Sequence, residues 1–378
     1  MKKIILLLIA SIILNPCFAQ RKLIPKFIRK MLFEQDSSKH SSFFVLPVLA
    51  SAPETGIEAG GSALYSFYTD TLNNNTRVSN IFGYITLTTK GQTRASLTTN
   101  YWTPQNRYHY TGLISYINFP FDYYGIGNNT RKADKDALGY KRMRARATAE
   151  KRFGSNIYLG VVGGGARYIF EDKVRDGIYQ NLPREQQPRG GVTLSGGPSF
   201  VFDNRNNNTY TTSGAIVTTT FELIKGLYNI NNYQGGFFSL EYAQFFSLSK
   251  RLVLGLNINE QSLVGDAAPF YLLPTLGTDE IMRGYYNGRF RDRNLIAGQA
   301  ELRYRISDRF GIVGFAGAGE VFHKKFSFDE LKPSVGGGVR YFFDVEKGLS
   351  MRIDYGIGEK RPGEPRQSGL YMSLAEAF

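Results

Sequence analysis

The stretch Tyr140-Lys-Arg-Met-Arg-Ala-Arg-Ala-Thr-Ala149 alternates with a period of two. Arg142, Arg144 and Arg146 fall on one face of an extended strand, while Met143, Ala145 and Ala147 fall on the other. Three guanidinium groups in a row must meet water. That water is either the solvent outside a soluble sandwich or the filling of a barrel whose outer surface is apolar. The arrangement returns far along the chain, where Gln299, Glu301, Arg303 and Arg305 alternate with Ala300, Leu302, Tyr304 and Ile306. A water-filled lumen accounts for both.

Outward from this stretch the period of two persists, as in Ile81–Thr89, Ala95–Trp102 and Ser239–Ser247, with turn residues between the runs. About sixteen such segments, from 42–50 through 140–152 and 293–306 to 368–378, predict an all-β fold: a transmembrane antiparallel β-barrel over residues 42–378. An even count suits bacterial barrels, and hydrocarbon leaves no unpaired edge amide tolerable. Pro47 interrupts the first segment, and without it the count would be odd. Connections alternate in length as well. Turns at 153–156, 247–250, 307–309 and 344–347 are short, and segments 119–139, 172–189, 265–292 and 359–367 are long, which assigns the former to the periplasm and the latter to the exterior.

The N-terminus carries Lys2 and Lys3, an apolar run from Ile4 to Leu14, and Cys17-Phe18-Ala19 before Gln20. That pattern predicts a secretory signal peptide over residues 1–19, too short for a membrane span. Its removal would take the single cysteine, Cys17, leaving no disulfide or thiol chemistry. Residues 20–41 contain Leu23, Phe27 and Met31 at helical spacing beside Lys26, Arg29 and Lys30, so a basic amphipathic segment is expected there, although Pro25 favours a frayed leader. The net charge of +14 carries no nucleic-acid signature in such a compartment. Outer-membrane lipids and lipopolysaccharide phosphates are the expected anionic partners.

No cofactor, metal site or enzymatic activity is expected. His40, His109 and His323 lie far apart without triad or ligand spacing. The runs Gly163-Gly164-Gly165 and Gly317-Ala318-Gly319 lack a phosphate-loop lysine and sit within strand patterns.

One stretch has no period: Asp279-Glu-Ile-Met-Arg-Gly-Tyr-Tyr-Asn-Gly-Arg-Phe-Arg-Asp-Arg-Asn294, in the longest external connection. Arg283-Gly284-Tyr285 within it resembles the arginine-glycine-aromatic motif of the BamA/TamA outer-membrane superfamily, or bacterial surface antigen family. The likeness extends to Phe121–Asn129, to Phe202–Asn206 with Thr211–Gly214, and to the ending Gly369–Phe378, and so covers most of residues 42–378. It implies a sixteen-stranded barrel with this loop folded into the lumen and Arg283 held by carboxylates of the next two strands. One of these corresponds to Glu301. The second falls on Gly317, where the family tends to carry aspartate, so the loop is expected to be anchored more weakly or by Glu301 alone. Phe378 resembles the C-terminal aromatic signal by which barrel-assembly machinery recognises its clients, with Leu370, Met372, Leu374 and Phe378 facing outward and Glu376 on the same face. The periplasmic POTRA domains usual in this superfamily have no room before residue 42. Two functions follow: an accessory in assembly or translocation of outer-membrane proteins or lipids at the outer membrane of a Gram-negative bacterium, with unfolded outer-membrane proteins as clients, or a passive pore or structural barrel whose arginines favour anions.

Overall fold

The computed structural model describes residues 41–52, 56–72, 76–183, 186, 189–227 and 233–378. The expected signal peptide lies outside the described residues, and so does the amphipathic segment except for Ser41.

Antiparallel strands in chain order make one sixteen-stranded sheet. It begins with β1 (Ser42–Ala52), β2 (Gly56–Phe67), β3 (Ser79–Thr88), β4 (Thr93–Trp102), β5 (Tyr108–Tyr123) and β6 (Asp136–Phe153). It continues through β7 (Ile157–Asp172), β8 (Gly190–Asp203), β9 (Gly214–Leu227), β10 (Gln234–Ser247) and β11 (Leu252–Val264). After a two-stranded hairpin of β12 (Thr275–Leu276) and β13 (Phe290–Arg291), the sheet resumes with β14 (Asn294–Arg305), β15 (Phe310–Phe322) and β16 (Lys332–Asp344). It ends with β17 (Leu349–Ile357) and β18 (Ser368–Leu374). The first segment is a strand despite Pro47, which pairs with Gly61. Among the described residues β1 has only β2 as a hydrogen-bonded neighbour, so a residue lacking an N–H is tolerated there.

The sheet curls into a barrel, bringing distant strands together across its interior. Ser42 donates its hydroxyl to Asp344 at 2.9 Å, and the Phe44 ring packs edge-on against Phe343 at 4.8 Å. Among the described residues hydrogen bonding nevertheless stops at β1 and β18; Phe44 of β1 and Leu374 of β18 both pack against the apolar cluster of Leu64, Phe343 and Leu349.

Face assignment follows the pleat. On β6, Met143 is 59% exposed and Ala145 and Ala147 are exposed outward, while Arg142, Arg144 and Arg146 are half-buried inward. On β14, Leu302 and Tyr304 face outward, whereas Glu301 and Arg303 are buried. Ile85, Leu97, Ile114, Val161 and Leu223 continue the outward apolar surface on other strands.

The four short turns lie at one end and the four long connections at the other, as read from the sequence. Two connections at the short-turn end are not tight, however. Residues 204–213 run across that mouth: Asn208 donates to the Val78 carbonyl at 3.0 Å, the Tyr210 ring meets Phe342 at 5.0 Å, and Thr209 donates its hydroxyl to the Lys347 carbonyl. Arg77, in the 68–78 connection, pairs with Asp203 at the root of this strap, and Arg205 donates to both oxygens of the same carboxylate at 2.9 and 3.0 Å.

In a Cys17→Ser background, Ala145→Cys should react with an apolar maleimide dissolved in the bilayer, and Arg144→Cys only with a small charged thiosulfonate. The reverse labelling would mean a one-residue slip of β6, which exchanges its two faces.

Candidate functional site

Residues 265–293 leave β11, enter the barrel from the long-loop end and return to β14. Three arginines fix this segment, two through carboxylates and one through aromatic rings. Arg283 is fully buried. Its guanidinium donates to Glu301 on β14 and, at 2.6 Å, to Asp354 on β17, and lies 3.6 Å over the Phe315 ring of β15. Arg289 pairs with Glu364 in the 358–367 connection. Arg291 has an aromatic enclosure, with Phe121, Tyr123 and Phe270 at 4.8, 5.5 and 5.6 Å, and donates to the Gly288 carbonyl. Burial without a carboxylate lowers the Arg291 pKa to about 10.

The neighbours of Arg283 lock the backbone. Gly284 has φ 109°, and a Cβ there would come within 2.8 Å of the Gly358 nitrogen. A Cβ on Gly356 of β17 would likewise come within 2.6 Å of the Arg283 carbonyl carbon, so loop and wall pack backbone to backbone. The Gly284 amide donates to the Tyr371 hydroxyl of β18 at 2.8 Å. Tyr285 donates to the Pro333 carbonyl at 2.5 Å and accepts from the Glu359 amide at 2.9 Å. Beneath them Leu276, Met282, Tyr285 and Phe290 form an apolar core with Leu295, Ala297 and Val321.

Arg283 is the centre of a larger network. Glu301 also accepts from Arg303 at 2.9 Å. Asp354 is shared with Arg340 at 2.6 Å and Arg352 at 3.2 Å. Arg352 reaches back to the loop at Asp279, 2.8 Å, and Ser373 of β18 donates to the same carboxylate at 2.8 Å. Arg340 extends the network to Glu376 at 2.7 Å, and Arg303 donates to the Phe378 carbonyl oxygen at 2.9 Å. The loop, the last strand and the end of the chain thus share one set of buried charges.

Two expectations are corrected here. Glu301 does not hold Arg283 alone: the second carboxylate is Asp354, two strands beyond the glycine at 317, which the curvature of the wall brings within reach. Phe378 does not face lipid. β18 ends at Leu374, Ala375 adopts φ 66°, and the reversal turns the following residues inward. Glu376 meets Arg340, and the Phe378 ring sits against Phe245 and Arg303, 6.0 and 4.9 Å away. Leu370 and Met372, before the reversal, face outward. Arg305 also faces the lumen, 4.0 Å over Phe342 and 5.1 Å from the strap's Tyr210.

Asp354, Arg340 and Arg352 were not singled out from sequence. Their parity was visible, since Arg352 and Asp354 alternate with Met351, Ile353 and Tyr355.

The description of an Omp85 superfamily domain matches residues 72–378. Among solved structures the chain is similar to BamA from Haemophilus ducreyi lacking POTRA domains 1–3, with a TM-score of 0.55 and 14% identity over 89% of this chain and 70% of that one. It is also similar to CdiB from Acinetobacter baumannii (TM-score 0.54, 12% identity) and from Escherichia coli (TM-score 0.53, 10% identity), again over 89% of this chain. It spans 60% and 62% of those two chains. At these identities the likeness is one of fold. No curated protein matches by sequence.

Arg283→Ala leaves Glu301 with Arg303 and Asp354 with Arg340 and Arg352, so it should cost on the order of 1–3 kcal/mol. Asp354→Ala leaves three arginines short of one carboxylate and should cost more, about 3–5 kcal/mol. Unfolding in detergent, with proteolysis of 279–294 in membranes, checks this order. Equal effects would mean that Asp354 is not the shared hub.

Glu280 supplies a pH test. Its side chain keeps access to the lumen water, but the enclosing barrel wall first, then the charges of Asp279 and Glu241, push its carboxyl up to about 7. A carboxyl raised in the folded state opposes folding once ionised, so the loop should loosen as pH rises through 7 and be tightest near pH 5. Glu280→Gln should abolish this dependence of protease sensitivity; an unchanged profile would assign it to another group.

Proposed function

The chain belongs to the Omp85 superfamily, and from that premise we propose that it is an accessory in inserting or translocating other polypeptides or lipids, with the β1–β18 seam as its working edge. Barrels of this superfamily are outer-membrane proteins of Gram-negative bacteria. The observation that carries the reading is the contrast between lumen and wall. The lumen is crossed at one mouth by 204–213 and entered from the other by 265–293, the latter fixed by buried ion pairs. The wall, by contrast, has two strands with one hydrogen-bonded neighbour each among the described residues, and β18 has only seven residues.

An unpaired edge in hydrocarbon is costly, so it favours pairing with an incoming strand or locally disturbs the lipid. β-strand addition is the chemistry such an edge offers to an unfolded outer-membrane protein. Outer-membrane lipid and lipopolysaccharide are the surrounding partners on this reading, and barrel-assembly machinery inserts the protein itself. A passive pore is less well supported, because both mouths contain ordered protein.

Cysteine at residue 43 of β1, combined in turn with cysteine at residues 369–373 of β18, should yield a pair that crosslinks on oxidation. Locking it should lower the assembled amount of other outer-membrane proteins while the barrel itself stays heat-modifiable. Unchanged levels on locking, together with stable anion-selective conductance in planar bilayers, would establish the pore instead.

A further inference from the structure

Two walls of the lumen differ in charge balance. On the β14–β18 side Arg283, Arg303, Arg340 and Arg352 share Asp279, Glu301, Asp354 and Glu376 in one network of four cations and four anions, outside which Arg305 lies over Phe342. The opposite wall is not matched in this way. Strand register there sets Arg94, Ile117 and Arg142 in one row, Ser96, Ser115 and Arg144 in the next, and Thr98, Leu113 and Arg146 in the third. Arg146 pairs with Glu222 at 2.7 Å. Among the described residues no carboxylate pairs with Arg142 or Arg144. Other inward carboxylates of this wall are engaged elsewhere: Glu58 accepts from Thr86 at 2.5 Å, Glu150 binds Ser199 at 2.5 Å and His109 at 2.7 Å, and Asp136 accepts from the Tyr179 amide at 2.7 Å.

Polar atoms beside the stripe also lack partners. The Nε atoms of Arg142 and Arg146 and the Ser115 hydroxyl are buried without a hydrogen bond, and Ser115 is 8% exposed. Arg144 and Arg146 line a cavity of about 490 Å³ together with Asn80, Thr98, Asn100 and Thr111, and Arg142 and Ser115 stand beside it in the strand register. Above it Tyr168 stacks on Tyr271 of the inserted loop at 4.4 Å, and Phe170 meets Phe270 at 4.7 Å. Below it Trp102 stacks on His109 at 3.8 Å.

We propose that Arg142, Arg144 and Arg146, with the Ser115 hydroxyl, form a lumenal binding site for a phosphate monoester. Half-buried cations attract compensating charge, and Arg142 and Arg144, with no carboxylate paired to either among the described residues, match a dianion. Guanidinium forks suit phosphate oxygens, and the Ser115 hydroxyl adds a donor in the row of Arg144. The hydroxyl and amide side chains around the cavity suit a polar headgroup better than an acyl chain.

The test uses the full chain in a phosphate-free, uncharged detergent at constant ionic strength. Inorganic phosphate should raise the unfolding temperature saturably where chloride does not. Arg144→Gln should weaken the apparent affinity roughly tenfold or more, Ser115→Ala should weaken it measurably, and Lys141→Gln, a charge change on the outer face, should leave it intact. A parallel titration with dihexanoyl phosphatidic acid separates the sources: much tighter binding than phosphate marks a lipid headgroup, and equal binding marks free phosphate. Stabilisation matched by chloride, or equal weakening by Arg144→Gln and Lys141→Gln, overturns the site. If Arg144→Gln loses its heat-modifiable fold, Ser115→Ala decides, and an unchanged affinity there overturns it.

Discussion

A guanidinium with no access to bulk water, held between two carboxylates from different parts of the wall, is the constraint on which the rest of this barrel depends. Burial of Arg283 is tolerable because Glu301 and Asp354 both meet it and Phe315 covers its face. That pairing keeps a long, glycine-punctuated segment inside the lumen, where neither helix nor sheet would hold it. It also explains why the segment is rich in arginine. Each of three guanidinium groups secures a different neighbour: the β14–β17 wall, the 358–367 connection and the aromatic cluster under Phe270.

Sharing of charges ties remote parts together. Arg340 contacts both Asp354 and Glu376, and Arg303 contacts both Glu301 and Phe378. Any movement of the final residues therefore reaches Arg283 through one intervening arginine and one carboxylate. The loop in turn touches β18 directly, through Tyr371 and Ser373. The strand at the seam is thus tied to the lumen contents through its side chains and to the wall, among the described residues, by backbone pairing with β17 alone.

The lumen is consequently divided by chemistry as well as by space. The neutral, densely paired side holds the loop, while the arginine stripe of β6 faces a cavity with hydroxyl and amide side chains. Tyr271 stacks on Tyr168 beyond one end of the stripe, and the strap at 204–213 crosses the mouth at the other end of the barrel. Such an interior differs from a conduit: it retains ordered protein at both mouths.

Much of this was legible in the chain itself. Alternation assigned Arg142, Arg144, Arg146, Glu301, Arg303 and Arg305 to the inside, and turn lengths separated the two ends, because side-chain direction in a strand is a local property of the pleat. What the sequence could not determine was which inward groups meet. Asp354 stands 71 residues beyond Arg283, and Thr209 binds a carbonyl 138 residues away, distances that only the curl and stagger of the sheet convert into contacts. The same holds for the end of the chain. Continued alternation would send Glu376 and Phe378 into lipid, but two arginines already buried in the lumen, Arg303 and Arg340, provide partners for them, and the backbone reverses at Ala375. Local periodicity determined the faces; the charge balance of a closed interior, which exists only once the sheet has curled, decided the partners.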